Sequence, residues 1–192
     1  PYYYQVYLAD HDVVAELAPT ERAAAFRLTY PKREMSYLVV DAYNGGHIEV
    51  LSDRNMIVGY SSANHGGVTE NFRNWFVVVS DTQFETQTID GHIAMVGFKT
   101  AKGQKINLSV ASSFISQDQA ELNLNELGDR TFDEIAQTGR ARWNEVLGRI
   151  AIEDDNIDNL RTFYSCLYRS VLFPRDLSEI NADGERVHYS PY

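Results

Sequence analysis

The chain has 192 residues, 44% of them hydrophobic and 23% charged, which is enough apolar content to bury a core and excludes a disordered or low-complexity segment. Its formal charge of -10, from 17 Lys and Arg against 27 Asp and Glu with no basic cluster, argues against nucleic acid as a partner. The single cysteine, Cys166, excludes an internal disulfide framework and a multi-thiolate metal site, and no run of about 18 apolar residues is present to form a membrane span.

From Pro1 to about Ser116 the chain reads as short β-type runs. Tyr2, Tyr4, Val6 and Leu8 alternate with Tyr3, Gln5 and Tyr7 at a period of two. Further runs follow at 13–17, 25–30, 37–41, 47–51, 56–60, 74–80, 83–89, 92–99 and 105–112. Turn residues punctuate them at Tyr30-Pro31-Lys32, Asn44-Gly45-Gly46, Ser52-Asp53 and Asp90-Gly91. Asp90-Gly91 between two alternating runs predicts a type I′ hairpin turn. Strands without intervening helices predict a sandwich of antiparallel sheets.

At Ser116 the period changes to that of a helix. Ser116-Gln117-Asp118-Gln119 fits a capping box for a short helix ending near Leu124. Thr131-Phe132-Asp133-Glu134 fits a second, opening a helix with Phe132, Ile135, Ala136, Trp143, Val146 and Leu147 at helical spacings and Gly148 as its stop. Asp154 and Asp155 supply negative charge at the start of a third helix. Its apolar stripe is Ile157, Leu160, Phe163, Tyr164, Leu167, Tyr168, Val171 and Leu172, closed by Pro174. That face is too apolar to stand alone. No Pro/Gly/Ser-rich linker separates strands from helices, so the helices are expected to pack on the sheets. The fold class is therefore mainly β with C-terminal helices. It divides into a sandwich at 1–115, linker helices at 116–152 and the start of a helical domain at 153–192. Pro1 is not a start residue and Tyr192 closes a polar aromatic stretch, so the sequence reads as a piece of a longer chain.

Candidate chemistry is sparse. His11, His47, His65, His92 and His188 show no metal-binding spacing, and no residue reads as a metal ligand. Asn64-His65-Gly66-Gly67 lacks the strand-loop-helix frame of a phosphate loop and reads as a surface loop. Glu153-Asp154-Asp155 reads as a helix start rather than a catalytic carboxylate pair. Cys166, among Phe163, Leu167 and tyrosines, is expected to be a buried structural thiol. Twelve Tyr, nine Phe and two Trp suit both a sandwich with aromatic edges and a surface on which sugar rings stack. After Pro174 the residues Arg175, Asp176, Asn181, Asp183, Glu185, Arg186, His188, Tyr189 and Tyr192 crowd together. A solvated loop and a polar substrate rim both account for them.

Taken in order, several stretches resemble the α-mannosidases of glycoside hydrolase family 92. They are Pro1 to Val6 with Glu16-Leu17-Ala18-Pro19-Thr20-Glu21-Arg22, Ser113-Phe114-Ile115-Ser116 through Ala120, Asn123 and Leu124, and Arg142-Trp143-Asn144 with Leu147. Phe163-Tyr164-Ser165-Cys166-Leu167-Tyr168-Arg169, Phe173-Pro174-Arg175, Asp183-Gly184 and Val187 to Tyr192 continue the match. The resemblance implies the later part of an N-terminal β-sandwich, linker helices and the first stretch of an (α/α)₆ catalytic barrel against which this chain packs. It implies exo-acting, calcium-dependent, inverting hydrolysis of α-mannosides in mannose-rich glycans, and export to the periplasm or outside the cell. The catalytic carboxylates and calcium ligands are expected in the barrel beyond this chain, which alone is expected to be inactive, so no residue here is assigned a catalytic role. His188, Tyr189 and Tyr192 are expected as rim residues, with Arg169 and Arg175 as hydrogen-bond donors to sugar hydroxyls or as structural ion-pair partners. A non-catalytic carbohydrate-binding β-sandwich with a helical appendage, or an interaction module without a sugar ligand, are the alternative readings.

Overall fold

The ten β-type runs form ten strands in a computed structural model that describes residues 1–64 and 66–190. They are β1 (Tyr4–Leu8), β2 (Val13–Pro19), β3 (Ala23–Tyr30), β4 (Arg33–Asp41), β5 (His47–Leu51), β6 (Met56–Ser61), β7 (Asn74–Ser80), β8 (Thr86–Asp90), β9 (Ile93–Thr100) and β10 (Gln104–Ser113). Seven of them pair in the order β1-β2-β3-β10-β7-β6-β5, and three in the order β4-β9-β8, all antiparallel. Leu28, Ile57, Val78 and Ile106 of the large sheet meet Val96 and Phe98 of the small one, which makes a two-sheet sandwich. Phe98 is closed off from solvent and takes the edge of the Phe84 ring at 5.7 Å.

The large sheet has a second buried face. Ala18, Ala25, Val58, Val77 and Ala111 pack there under Ala120, Phe132 and Ile135 from the helices and Leu127 from the connection between them. Burial on both sides explains why β6 and β7 carry the continuous apolar runs Met56-Ile57-Val58 and Val77-Val78-Val79. The alanines beneath the helices are small enough to let helix backbone approach the sheet. Burying Phe132 and Ile135 in this layer contributes about 2–3 kcal/mol each. The first two helices thus dock on the sandwich as the missing linker composition predicts, while the third does not reach this layer.

The helices are α1 (Gln117–Asn123), α2 (Phe132–Leu147) and α3 (Ile157–Ser170). Thr131 and Glu134 make the full reciprocal box at the start of α2. At α1 only half of the box forms. The Ser116 hydroxyl accepts from the Gln119 amide, while the Gln119 side chain turns elsewhere. The cap of α3 is Asn156, and Asp154 accepts from the Asn156 N–H and the Asn159 side chain at 2.7 and 2.9 Å.

Two expectations need correction. The β8–β9 turn has Gly91 and His92 at its centre, between the paired Asp90 and Ile93, and of the two only Gly91 has positive φ. That is the type II′ pattern, which needs glycine at the first central position only. Cys166 is exposed, not buried. The reason is that α3 leans on α2 through Trp143 and Tyr168, with ring centroids 5.0 Å apart, and no residue of α3 is buried. Its stripe stays open, with Ile157 56% and, just past the helix, Phe173 69% exposed.

After α3 the chain forms a short hairpin from β11 (Ser178–Ile180) and β12 (Arg186–His188). Asn181 builds its turn, accepting from the Asp183 and Glu185 amides at 3.0 and 2.8 Å. Among the described residues no helix is long and apolar enough to cross a membrane.

Candidate functional site

Alternation along β11 and β12 gives the hairpin two faces. Glu179 and Val187 pair on the inner face, where Glu179 is only 2% exposed. Arg186 and His188 are exposed on the other. Beside them Arg186 Nη1 donates to Asp176 Oδ2 and Ser178 Oγ, each at 2.6 Å. The Ser178 hydroxyl and amide both donate to Asp176 Oδ1, at 2.5 and 2.9 Å. These two bonds from Ser178, and then Arg186, hold the Asp176 carboxyl far below the usual carboxylate range. The open face therefore carries a fixed carboxylate, a guanidinium and an imidazole within one hairpin. Such donors and acceptors match sugar hydroxyls.

Tyr189 is pinned. Its hydroxyl lies 2.8 Å from Thr69 Oγ1 and donates to Asn71 Oδ1 at 2.9 Å, both in the loop between β6 and β7. Its ring stands edge-on to Phe72 at 5.9 Å, and Phe72 lies 5.6 Å from Phe114 at the sandwich–helix junction. Loop, junction and hairpin thus meet in one aromatic cluster. The other anticipated rim residues are more dispersed. His188 is exposed in β12 opposite Ser178. The Arg175 guanidinium stacks over the Phe173 ring at 5.1 Å. Arg169 is exposed near the end of α3, and among the described residues no ion pair joins it to the hairpin. Tyr192 lies outside the described residues.

Sequence reading missed what lies beneath the hairpin. Glu179 accepts from the Phe114 amide at 2.9 Å and from Asn123 Nδ2 at 2.8 Å. Asn123 also donates to Ser112 O, and Gln119 donates to both Asn123 Oδ1 and Ile180 O. From the sandwich, Arg22 donates to Ser178 O through Nε at 2.9 Å and to Asp176 O at 2.7 Å. Nothing local marks these residues, because their partners lie up to 156 positions away. The one available signal is that Arg22, Phe114 and Asn123 fall in stretches of family resemblance.

Among the described residues no group of three or more His, Cys, Asp or Glu side chains is gathered to hold a metal ion. A cavity of about 630 Å³ lies between α2 and the β2–β3 turn, with Thr20, Glu126 and Trp143 on its wall. Glu126 is already engaged there by the Thr20 hydroxyl and the Arg22 amide, at 2.6 and 2.8 Å.

A sandwich sealed by its own helices and ending in a polar hairpin flanked by aromatic rings has the make-up of one part of a carbohydrate-active protein. Comparison with known proteins narrows this class. Residues 1–125 match the glycosyl hydrolase family 92 N-terminal domain, and residues 119–192 match the family's catalytic domain. The chain belongs to glycosyl hydrolase family 92. It is similar to a family GH92 inverting mannosidase from Bacteroides thetaiotaomicron VPI-5482, with 37% identity and a TM-score of 0.92, over 100% of this chain and 28% of that one. A family GH92 α-mannosidase from Bacteroides thetaiotaomicron shares the fold at 22% identity and a TM-score of 0.74, over 99% of this chain and 30% of that one. An uncharacterised secreted glycosidase of Arthroderma benhamiae is 29% identical over 82 residues, which is 40% of this chain and 11% of that protein. The chain thus spans under a third of the length of each of these relatives.

Proposed function

We propose that this chain is part of an exo-acting, inverting α-mannosidase that removes mannose from mannose-rich glycans. In this reading residues 1–115 are sandwich, 116–152 linker helices and 153–192 the opening of the catalytic barrel, whose remainder covers the open stripe of α3. The observation that carries the reading is the alignment of the whole chain, at 37% identity, with an inverting mannosidase. Export to the periplasm or the medium fits the secreted glycosidase among the relatives.

Inversion requires a general acid and a general base about 6.5–9.5 Å apart, so that water attacks the face opposite the leaving group. Asp176 and Glu179 are committed to other partners, Asp176 to Ser178 and Arg186, and Glu179 to Phe114 and Asn123. They do not fit as acid, base or calcium cage. The reading therefore gives the acid, the base and the ligands of a calcium ion to the rest of the barrel, and leaves this chain inactive alone. Calcium, when bound, supplies a hard centre for sugar hydroxyls. What this chain contributes is pocket wall. Arg186, His188 and Tyr189 offer polar and aromatic contacts at a junction of sandwich and helices, where sites favour domain interfaces.

The test uses the longer protein. Mannose release from α-linked mannobioses is followed with calcium present and then chelated, and the first-formed anomer is read by NMR. Calcium-dependent release of β-mannose is expected. Release of α-mannose first would overturn inversion, and no release from any linkage would overturn the mannosidase reading.

A further inference from the structure

Glu179 is buried, and among the described residues it enters no ion pair; the Phe114 amide and Asn123 Nδ2, both outside the hairpin, donate to its carboxyl group. A charged group this enclosed persists only if hydrogen bonds replace the water it loses, so the site has been built around it. Its surroundings are built with equal care. Asn123 spends its amide hydrogens on Glu179 and Ser112 O, and Gln119 spends its own on Asn123 Oδ1 and Ile180 O, giving up the second half of its capping box to do so. Arg22 holds the outer edge through Ser178 O and Asp176 O. The two family matches overlap at 119–125, the stretch that supplies Gln119 and Asn123, so the network sits on the seam between the N-terminal and catalytic domains.

We propose that Glu179, with Gln119, Asn123 and Arg22, is a positioning device that fixes the β11–β12 hairpin on the sandwich and so aims Arg186, His188 and Tyr189 at the sugar. None of the four touches substrate. They act through the hairpin, whose backbone they grip at Asp176, Ser178 and Ile180. The aim of the hairpin at sugar rests on the mannosidase reading, whereas the clasp itself rests on the hydrogen bonds alone. Glutamine at position 179 keeps the shape but sets an NH₂ against one of two N–H donors, which loosens the hairpin without emptying the space. A displacement near 1 Å in a substrate-contacting group costs up to about a hundredfold in turnover or affinity, so a loosened hairpin is measurable.

The experiment compares Glu179→Gln, and the gentler Arg22→Gln at the rim, with the unaltered longer enzyme. Hydrogen–deuterium exchange is read over residues 178–189 and over α2, alongside kcat and KM for an α-mannobiose. Both variants are expected to speed exchange in the hairpin and not in α2, and to raise KM about tenfold while kcat changes little. A role in general stability alone would speed exchange everywhere and leave KM of the folded fraction unchanged, which overturns the proposal. Hairpin exchange unchanged in both variants overturns it as well. If the unaltered enzyme releases no mannose, the mannosidase reading fails, and the exchange data alone decide the clasp. Should Glu179→Gln fail to fold, Arg22→Gln carries the same test.

Discussion

Glu16 and Arg27 face each other across β2 and β3, with side chains 10% and 15% exposed. Two parallel bonds of 2.7 Å join them, the Tyr3 hydroxyl adds a third at 2.8 Å, and the guanidinium lies 4.2 Å over the Phe132 ring. Arg27 therefore ties the sheet to α2 as well as neutralising a buried acid. Arg27→Met keeps the packing stem but leaves Glu16 buried without its cation, and is expected to lower stability to urea by about 3 kcal/mol. Glu16→Leu combined with Arg27→Met should recover most of that loss. A loss near zero for the single variant would place the pair with exposed ones. The pair also predicts a pH signature. The Glu16 carboxyl is held below its ordinary value of 4.5, first by the Arg27 hydrogen bonds. A depressed folded-state pKa gives stability that is complete above the unfolded value and lost as pH falls below it. Glu134 and Asp176, likewise depressed by hydrogen bonds from Thr131 and Ser178, act with the same sign. The melting temperature should therefore fall as pH drops from about 5 to 3, less steeply in the Glu16→Leu, Arg27→Met double variant. Equal slopes would remove Glu16 from the account.

At the level of elements, what was legible followed from local periodicity. Short β-type runs punctuated by turn residues located all ten sandwich strands, alternating where one face is inward and continuously apolar in β6 and β7 where both are, and a change of period located α1 after β10. Errors arose where the deciding partner was distant or the local signal ambiguous. Asp90-Gly91 looked like the centre of a type I′ turn, yet register places Gly91 and His92 there, since pairing of Asp90 with Ile93 is set by the sheet. Cys166 looked buried because its neighbours are apolar, but neighbours on a helix decide burial only if something covers the helix, and α2 covers a small part of α3. The hairpin β11–β12 was invisible as structure. Its strands have three residues each, and what holds it is Glu179 in a polar network reaching into α1. The same limit applied to the candidate site. Residue types pointed to His188 and Tyr189 in the crowded tail, whereas the pinning of Tyr189 by Thr69 and Asn71 rests on pairs 120 and 118 positions apart.

Across the whole molecule these contacts divide the chain into two levels of stability. The large sheet is buried on both faces, and the first turns of α2 share its second core through Phe132 and Ile135. Beyond Ile135 the rest of α2 has no buried residue, and α3 has none at all. Regions with few buried apolar contacts open at lower free energy than the core they adjoin. The two tryptophans report the two levels separately. Trp75 lies in β7 against Tyr60 at 4.8 Å, and Trp143 lies in the outer half of α2 against Tyr168. Trp143→Phe leaves Trp75 as reporter of the sandwich, and Trp75→Phe leaves Trp143 as reporter of the outer helices. In this chain the Trp143 signal is expected to change at lower urea than the Trp75 signal, a departure from a single cooperative transition. In the longer protein, where the barrel is proposed to cover the stripe of α3, the two midpoints should converge, because burying Ile157, Leu172 and Phe173 raises the cost of opening the outer helices. Coincident midpoints in this chain would mean that α3 is already coupled to the sandwich. Midpoints still apart in the longer protein would mean that the barrel does not cover that face.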